Sequence, residues 1–238
     1  TTSATHVADA SFPHALTARG AGGPLITNGT TVNTQGLAMG AVSDDGGTGS
    51  LTDLTITTQG GRAIGLYSVV EQSGPQFAAN LSALRGSVET FGGNAHGAAA
   101  QARNDLPGPL AEIAITNTRI TTHGQSAAGL RASLGDYGST PTGRGEAQVV
   151  ATNATVRTEG AMAHGAVSRD APTSVTLNGG SVITTGQNAY GAMAEIGEHI
   201  IGVGTNVQAS GTEALGLYVT GNPTAVARAE FRDSAIAN

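Results

Sequence analysis

Few residues in this chain of 238 have the types and spacing that chemistry requires. Asp44 and Asp45, followed by Gly46-Gly47, are the single adjacent acidic pair. Two carboxylates can cleave a glycosidic bond when one protonates the leaving oxygen and the other activates water. That work needs further acids gathered across neighbouring segments. No recurring Asp column accompanies this pair, and the chain has no Lys to act as the strong base of a lyase. His96 and His164 each stand directly before a glycine and could in principle ligate a metal. Ile201-Gly202-Val-Gly204 opens like a dinucleotide loop, but the third glycine position is Val207 and no helix follows. Gly124-Gln-Ser126-Ala-Ala-Gly129 is one residue too long for a nucleophile elbow. Asn28-Gly-Thr30, Asn80-Leu-Ser82 and Asn153-Ala-Thr155 match the glycosylation acceptor, yet the first and last fall where the backbone has to turn a corner.

Composition narrows the classes further. All eleven basic residues are Arg, the net charge is −6, and Cys is absent. A Schiff-base or phosphate-loop lysine, a thiolate site, a disulfide and a basic nucleic-acid patch are thereby excluded or disfavoured. Thirty-six glycines, no Trp and only 12% charged residues resemble disorder, but Val, Ile and Thr recur in short runs, which disordered chains lack. No apolar run approaches the ~20 residues of a membrane helix. No signal peptide precedes the pattern, and Thr1 begins within it, so a mature or excised piece is expected.

The chain repeats itself. Val/Ile-x-Thr-x-Gly, then Ala-x-Gly-Leu/Ala, appears at Ile56…Gly60…Gly65, Val88…Gly92…Gly97, Ile120…Gly124…Gly129, Val156…Gly160…Gly165 and Val182…Gly186…Gly191. A shortened copy begins at Val32 and a drifted one at Val207. The first glycines, at 36, 60, 92, 124, 160, 186 and 211, are 24 to 36 residues apart. Three short strands and three turns need about the lower figure, whereas a propeller blade takes ~40–45 and helical repeats carry a 3.6-residue period. The expected fold is all-β, a right-handed single-stranded parallel β-helix (solenoid) of about seven full coils with three short strands each. Residues 1–238 are expected to form a single such unit.

Within a coil the strands are an alternating run (Ile113-Ala-Ile115, Val149-Val-Ala151), then Val-x-Thr, then Ala-x-Gly-Leu-x-Ala. Asn28, Asn117, Asn153 and Asn178 are expected to take the left-handed conformation at the first corner. The first glycine of each motif is expected to do so at the second corner, and the second glycine to mark a tight bend or a close backbone approach. His96, His164 and Tyr190 share a slot with Met39, Ile64, Ala128 and Leu215, which reads as exposed and permissive. His96 and His164 would stand two coils apart, roughly 10 Å, too far to share a metal. No metal or cofactor is expected.

This repeated coil, over residues 25–220, resembles the passenger region of pertactin-like bacterial autotransporters. The resemblance implies a β-helix on the cell surface (the extracellular side of the outer membrane) or secreted. Adhesion, aggregation or evasion of host defence would be its task. Expected partners are a matrix, serum or cell-surface macromolecule of a host, or other copies between cells. Nucleic acid is not expected, nor a transmembrane segment in this piece. Arg144-Gly-Glu146 is the nearest approach to Arg-Gly-Asp, so that integrin tripeptide is not carried over. Absence of Cys agrees with export through two membranes.

Insertions fall at 69–80, 101–111 and 133–146, after the third strand of three consecutive coils. They are expected to project side by side and form the binding surface, through Glu71, Gln76, Phe77, Arg103, Asp105, Leu106, Asp136, Tyr137 and Arg144. Prolines 75, 107, 109 and 141 would restrict them. Catalysis is not expected. The alternatives are a polysaccharide lyase or hydrolase on the same fold, and a stalk that presents another domain.

Overall fold

The structure, a computed structural model, describes residues 14–20, 24–71, 77–103, 109–135, 145–170, 172–221 and 226–238. Parallel strands wind into a β-solenoid of seven coils, with a strand of a further coil before them and two after. The first coil holds β2 (Leu25–Asn28), β3 (Thr31–Thr34) and β4 (Met39–Asp44), preceded by β1 (His14–Arg19). Three coils follow with two strands each: β5 (Thr48–Thr58) and β6 (Leu66–Val70), β7 (Ala79–Thr90) and β8 (Ala98–Ala102), β9 (Leu110–Thr122) and β10 (Leu130–Ser133). The fifth coil is β11 (Glu146–Thr152), β12 (Thr155–Thr158) and β13 (Ala166–Arg169); the sixth is β14 (Thr173–Asn178), β15 (Ser181–Thr184) and β16 (Tyr190–Glu195). The seventh is β17 (His199–Val203), β18 (Asn206–Ala209) and β19 (Leu215–Thr220), followed by β20 (Arg228–Arg232) and β21 (Ala235–Ala237).

The three expected strands per coil are present, but in the second to fourth coils the first two run continuously through their corner. By hydrogen bonding the strands form two sheets, one of 13 from the first two positions and one of eight from the third. Each copy of the motif pairs with the next, Val88 with Ile56 and Ile120, Val156 with Ile120 and Val182. The repeat spacing is therefore the coil spacing.

Inward-facing columns explain the repeat. The Val/Ile column from Val32 to Val207 is buried throughout. Two residues on, the inward Thr buries a hydroxyl, and its Oγ1 donates across the second corner at Thr58 to the Ala63 carbonyl at 2.6 Å, at Thr90 to Ala95 at 2.6 Å and at Thr122 to Ala127 at 2.8 Å, whereas the equivalent Thr184 Oγ1 has no partner among the described residues. An unpaired buried hydroxyl would cost about 1–3 kcal/mol. The drifted copy carries Ala209 there and has no hydroxyl to satisfy.

Two expectations about the corners need correction. At the first corner the left-handed residues are Gly29, Asp53, Arg85, Asn117, Asn153, Gly179, Gly204 and Asp233. Asn28 and Asn178 precede that position and end strands; the glycine that follows each takes the turn. At the second corner the first glycine of the motif is not left-handed in the full copies. That role falls two residues later, to Arg62, Asn94, Ser126, Met162, Asn188 and Glu213. Glycine is required at the earlier position by stacking: a Cβ on Gly92 would lie 2.0 Å from the Gly60 carbonyl oxygen, and one on Gly124 1.8 Å from that of Gly92. The second glycine is a close approach, as expected. A Cβ on Gly97 would lie 2.2 Å from the Ile120 side chain of the next coil.

Candidate functional site

Of the expected binding residues, Glu71 and Arg103 come together across consecutive coils. Arg103 Nη1 lies 3.0 Å from Glu71 Oε1, and the Glu71 backbone N–H donates to Asp45 Oδ1 at 2.8 Å. Phe77 is half-buried against the core, so it is a packing residue rather than an exposed anchor. Gln76, Asp105, Leu106, Asp136, Tyr137 and Arg144 lie outside the described residues. Asp44 and Asp45 close the third corner of the first coil. Asp44 pairs with Arg19 at 3.0 Å, and Asp45 is buried in a left-handed turn. Burial, with the Asp45 charge beside it, raises the Asp44 carboxyl above its ordinary range.

The slot shared by His96 and His164 is not the exposed position expected; both imidazoles are buried, His96 to 4% exposure. The reason lies in the ladder. His96 Nδ1 accepts the Ala128 backbone N–H at 3.0 Å, and His164 Nδ1 accepts that of Tyr190 at 3.0 Å. Each histidine thus satisfies a donor on the next coil. His164, Tyr190 and Tyr218 continue as a ring stack, with centroids 4.9 and 4.6 Å apart. Arg131 Nη1 faces His96 Nε2 at 2.9 Å. Burial first, then the Arg131 charge, hold His96 well below its ordinary pKa. Burial alone lowers His164 to about 4.

A cluster not foreseen lies on the exterior of the second strands. Side chains flanking the inward Val and Thr point outward there, and parallel register stacks them in columns. Most are Thr, Ser, Asn or Gln, but the third to fifth coils contribute Glu89 and Phe91, Arg119 and His123, and Arg157 and Glu159. His123 bridges the coils on either side of it, with Nε2 2.9 Å from Glu89 Oε1 and Nδ1 2.7 Å from Glu159 Oε2. Its ring stacks on Phe91, centroids 4.5 Å apart, and Arg157 Nε donates to the other Glu159 oxygen at 2.7 Å. Desolvation works against the imidazolium, but the bonds and charges of Glu89 and Glu159 outweigh it and raise the His123 pKa. Glu159 is lowered, first by Arg157 and then by His123. Arg119 makes no ion pair among the described residues. Glu89, Arg119, His123, Arg157 and Glu159 border an open cleft of about 340 Å³ across the second to fifth coils, lined also by Thr55, Ile56, Thr57, Ser87, Val88 and Thr121. The signal was present in the sequence: charge at the two variable positions of Val-x-Thr-x-Gly, confined to three consecutive copies.

A third polar group is internal. Glu198, with no solvent exposure, accepts from Thr173 N at 3.0 Å and Ser168 Oγ at 3.2 Å through one oxygen. Its other oxygen has no partner among the described residues. Burial raises its pKa to about 7 against the opposing pull of these donors. Among the described residues no group of three His, Asp or Glu side chains has an arrangement able to hold a metal, and no helix is long and apolar enough to cross a membrane.

No protein-family model and no curated protein sequence matches the chain. Among solved structures, the chain is similar to one described as the cryo-EM structure of the Vag8–C1 inhibitor complex, with 18% identity and a TM-score of 0.37. The match covers 92% of this chain and 66% of that one, just under two thirds of its length.

Proposed function

We propose that the chain is a binding passenger of the autotransporter type, displayed at a bacterial surface or secreted. It engages a macromolecule of a host or of a neighbouring cell and does not catalyse a reaction. The observation that carries this reading is the Glu89–His123–Glu159–Arg157 network, with Arg119 beside it, on an otherwise uncharged polar flank. Sheet hydrogen bonding fixes these groups before any partner arrives, which lowers the ordering cost of association. The network also argues against the glycosidase alternative. The His123 imidazole fills the space between the two carboxylates, and Glu159 is held ionised rather than poised as a proton donor.

The test is attachment. Cells displaying the protein, and matched cells lacking it, are compared for retention on serum- and matrix-coated surfaces and for clumping with one another. Equal behaviour of the two on every surface, and in clumping, would refute the reading. Release of sugars from a polysaccharide panel, lost in the Asp44→Asn/Asp45→Asn variant or the Glu89→Gln/Glu159→Gln variant, would instead support the enzyme alternative.

A further inference from the structure

We infer that the cleft across the second to fifth coils is a binding site for an acidic glycan, a hydroxyl-rich chain carrying carboxylates. This deepens the binding-passenger reading and rests on it. Three features of the cleft select the ligand.

The first is that the cleft lies on a sheet face. Backbone groups of the second strands are spent on the coils above and below. A peptide cannot dock there by adding a strand, because that mode requires an open edge. Recognition has to pass through side-chain tips.

The second is the lining. Pockets for drug-like and cofactor ligands are predominantly apolar, whereas here the hydroxyls of Thr55, Thr57, Ser87 and Thr121 and the charged groups share the lining with Ile56 and Val88. Thr55 pairs with Ser87 one coil on, and Thr57 and Thr121 stand two coils apart with Glu89 between them; at about 4.8 Å per coil the lining spans roughly 14 Å over four coils. Hydroxyls that both donate and accept match a polyol, whose groups do the same.

The third is charge. Glu159 has both oxygens committed, one to Arg157 and one to His123, and Glu89 has one committed to His123. Arg119 is exposed and makes no ion pair among the described residues. With His123 protonated, the cations Arg119, His123 and Arg157 outnumber the anions Glu89 and Glu159 by one. On a chain of net charge −6 this is a local reversal of sign. A guanidinium fork donates two parallel bonds to a carboxylate, and the free Glu89 oxygen accepts from a neighbouring hydroxyl. A single carboxylate flanked by hydroxyls satisfies this set. A densely charged polyanion would instead be repelled by the acidic remainder of the chain.

The probe is a hexasaccharide of alternating glucuronate and N-acetylglucosamine, titrated into the 238-residue chain by calorimetry. Amide shifts in labelled protein locate the site. Two comparison ligands are the same hexasaccharide with its carboxylates reduced to alcohols, and hexaglutamate. Saturable binding is expected, with shifts centred on residues 87–89, 119–123 and 157–159. It should weaken with added salt, and roughly tenfold or more on carboxyl reduction or in Arg119→Ala. Thr121→Tyr, which fills the floor and leaves every charge in place, should abolish it. Arg103→Ala, at the insertion corner, should leave it unchanged. Equal binding of the reduced sugar would overturn the proposal, as would preference for hexaglutamate, shifts elsewhere, or no binding. Attachment of displaying cells that survives Thr121→Tyr would overturn this site while leaving the passenger reading intact. Glycan binding without any attachment phenotype would do the reverse.

Discussion

His96 and His123 belong to adjacent coils, one just before a strand of the eight-stranded sheet and the other just after a strand of the 13-stranded sheet, and their surroundings drive the same side chain in opposite directions. His123, just past the end of β9 of the 13-stranded sheet, sits between two carboxylates, which raise its pKa above the ordinary value. His96 lies two residues before β8, buried against the Arg131 guanidinium and under a backbone N–H from Ala128. The Ala128 N–H requires an acceptor at Nδ1, which an imidazolium lacks, and the Arg131 charge opposes a second cation beside it, so the neutral form is favoured. The stacking that repeats a residue type from coil to coil also decides what that residue meets. Where the column neighbours are acids, the result is a charged exterior network; where they are apolar or basic, a neutral buried strut.

Deleting each ring gives the largest expected contrast. His96→Ala strands the Ala128 N–H and opens a void, and should destabilise by about 2–3 kcal/mol. His123→Ala removes a half-exposed network and one ring stack, for about 1 kcal/mol at most. Urea midpoints of the two variants, each with circular dichroism confirming the solenoid, check the ordering. Equal losses would mean that the two faces are equally buried in solution.

Next in size is the pH response of the buried groups, where the signs oppose. His96 and His164 have folded pKa values below their unfolded ones, so the unfolded chain binds more protons as pH falls below about 6.5. Stability is lost on that acid side, for His164 down to about 4. Glu198, raised to about 7, binds its proton more tightly when folded. Its contribution is full below the ordinary glutamate range and is lost as pH rises through about 7. Asp44, Asp170 and Glu195 are also raised, chiefly by burial, and act in the same sense. Between about pH 4.5 and 6.5 the histidines and the carboxyls therefore offset one another. Glu198→Gln should be more stable than the parent at pH 8, with little difference at pH 4.5, and should show a steeper rise of stability with pH. A variant less stable than the parent at pH 8 would mean that Glu198 is ionised and stabilised in the folded protein.

How much of this could be read from the sequence follows from what repeats. The coil and its register were legible because Val, Thr and both glycines recur in the same order, and each recurrence is a physical contact with the copy before it. Corner chemistry was legible only in part. Asn117 and Asn153 do take the left-handed turn, but Asp53 and Arg85 share it with Gly29 and Gly179, because one turn per coil tolerates several side chains when they project into solvent. The burial of His96 was not legible. Its neighbours Ile64 and Ala128 suggested only permissiveness, and that both faces of the third strands are buried in these coils is visible only in three dimensions. The Glu89–His123–Glu159 network was missed because positions that vary from copy to copy read as unconstrained. They are constrained across copies, one coil at a time.

Titration separates the two histidine environments directly. In imidazole proton spectra, His123 should titrate above its ordinary value, His164 near 4 and His96 well below its ordinary value. Glu89→Gln and Glu159→Gln should each lower the His123 value and leave His164 where it is, since no carboxylate figures in the His164 shift. A His123 indifferent to both changes would remove the network from the exterior face.

The smallest effect compares two exposed pairings that bridge coils in different ways. Glu71–Arg103 joins neighbouring coils at the insertion corner through one bond, with both side chains at least one third exposed. Such a pair is worth ~0.2–1 kcal/mol or less in double-mutant cycles and fades with salt. Glu159 engages two partners from two coils, Arg157 within its own and His123 below, and the His123 ring is further fixed by Phe91. A ring held in place loses less entropy on pairing than two long free side chains do. The Glu159–His123 coupling, measured below the raised His123 pKa, should therefore exceed that of Glu71–Arg103 by a few tenths of a kcal/mol. It should vanish above that pKa, when the imidazole is neutral, whereas the Glu71–Arg103 coupling should persist because the guanidinium remains charged. Coupling energies that stay equal at both pH values would mean that His123 acts on Glu159 as a neutral hydrogen-bond donor, and the charge assigned to the cleft would then rest on Arg119 and Arg157 alone.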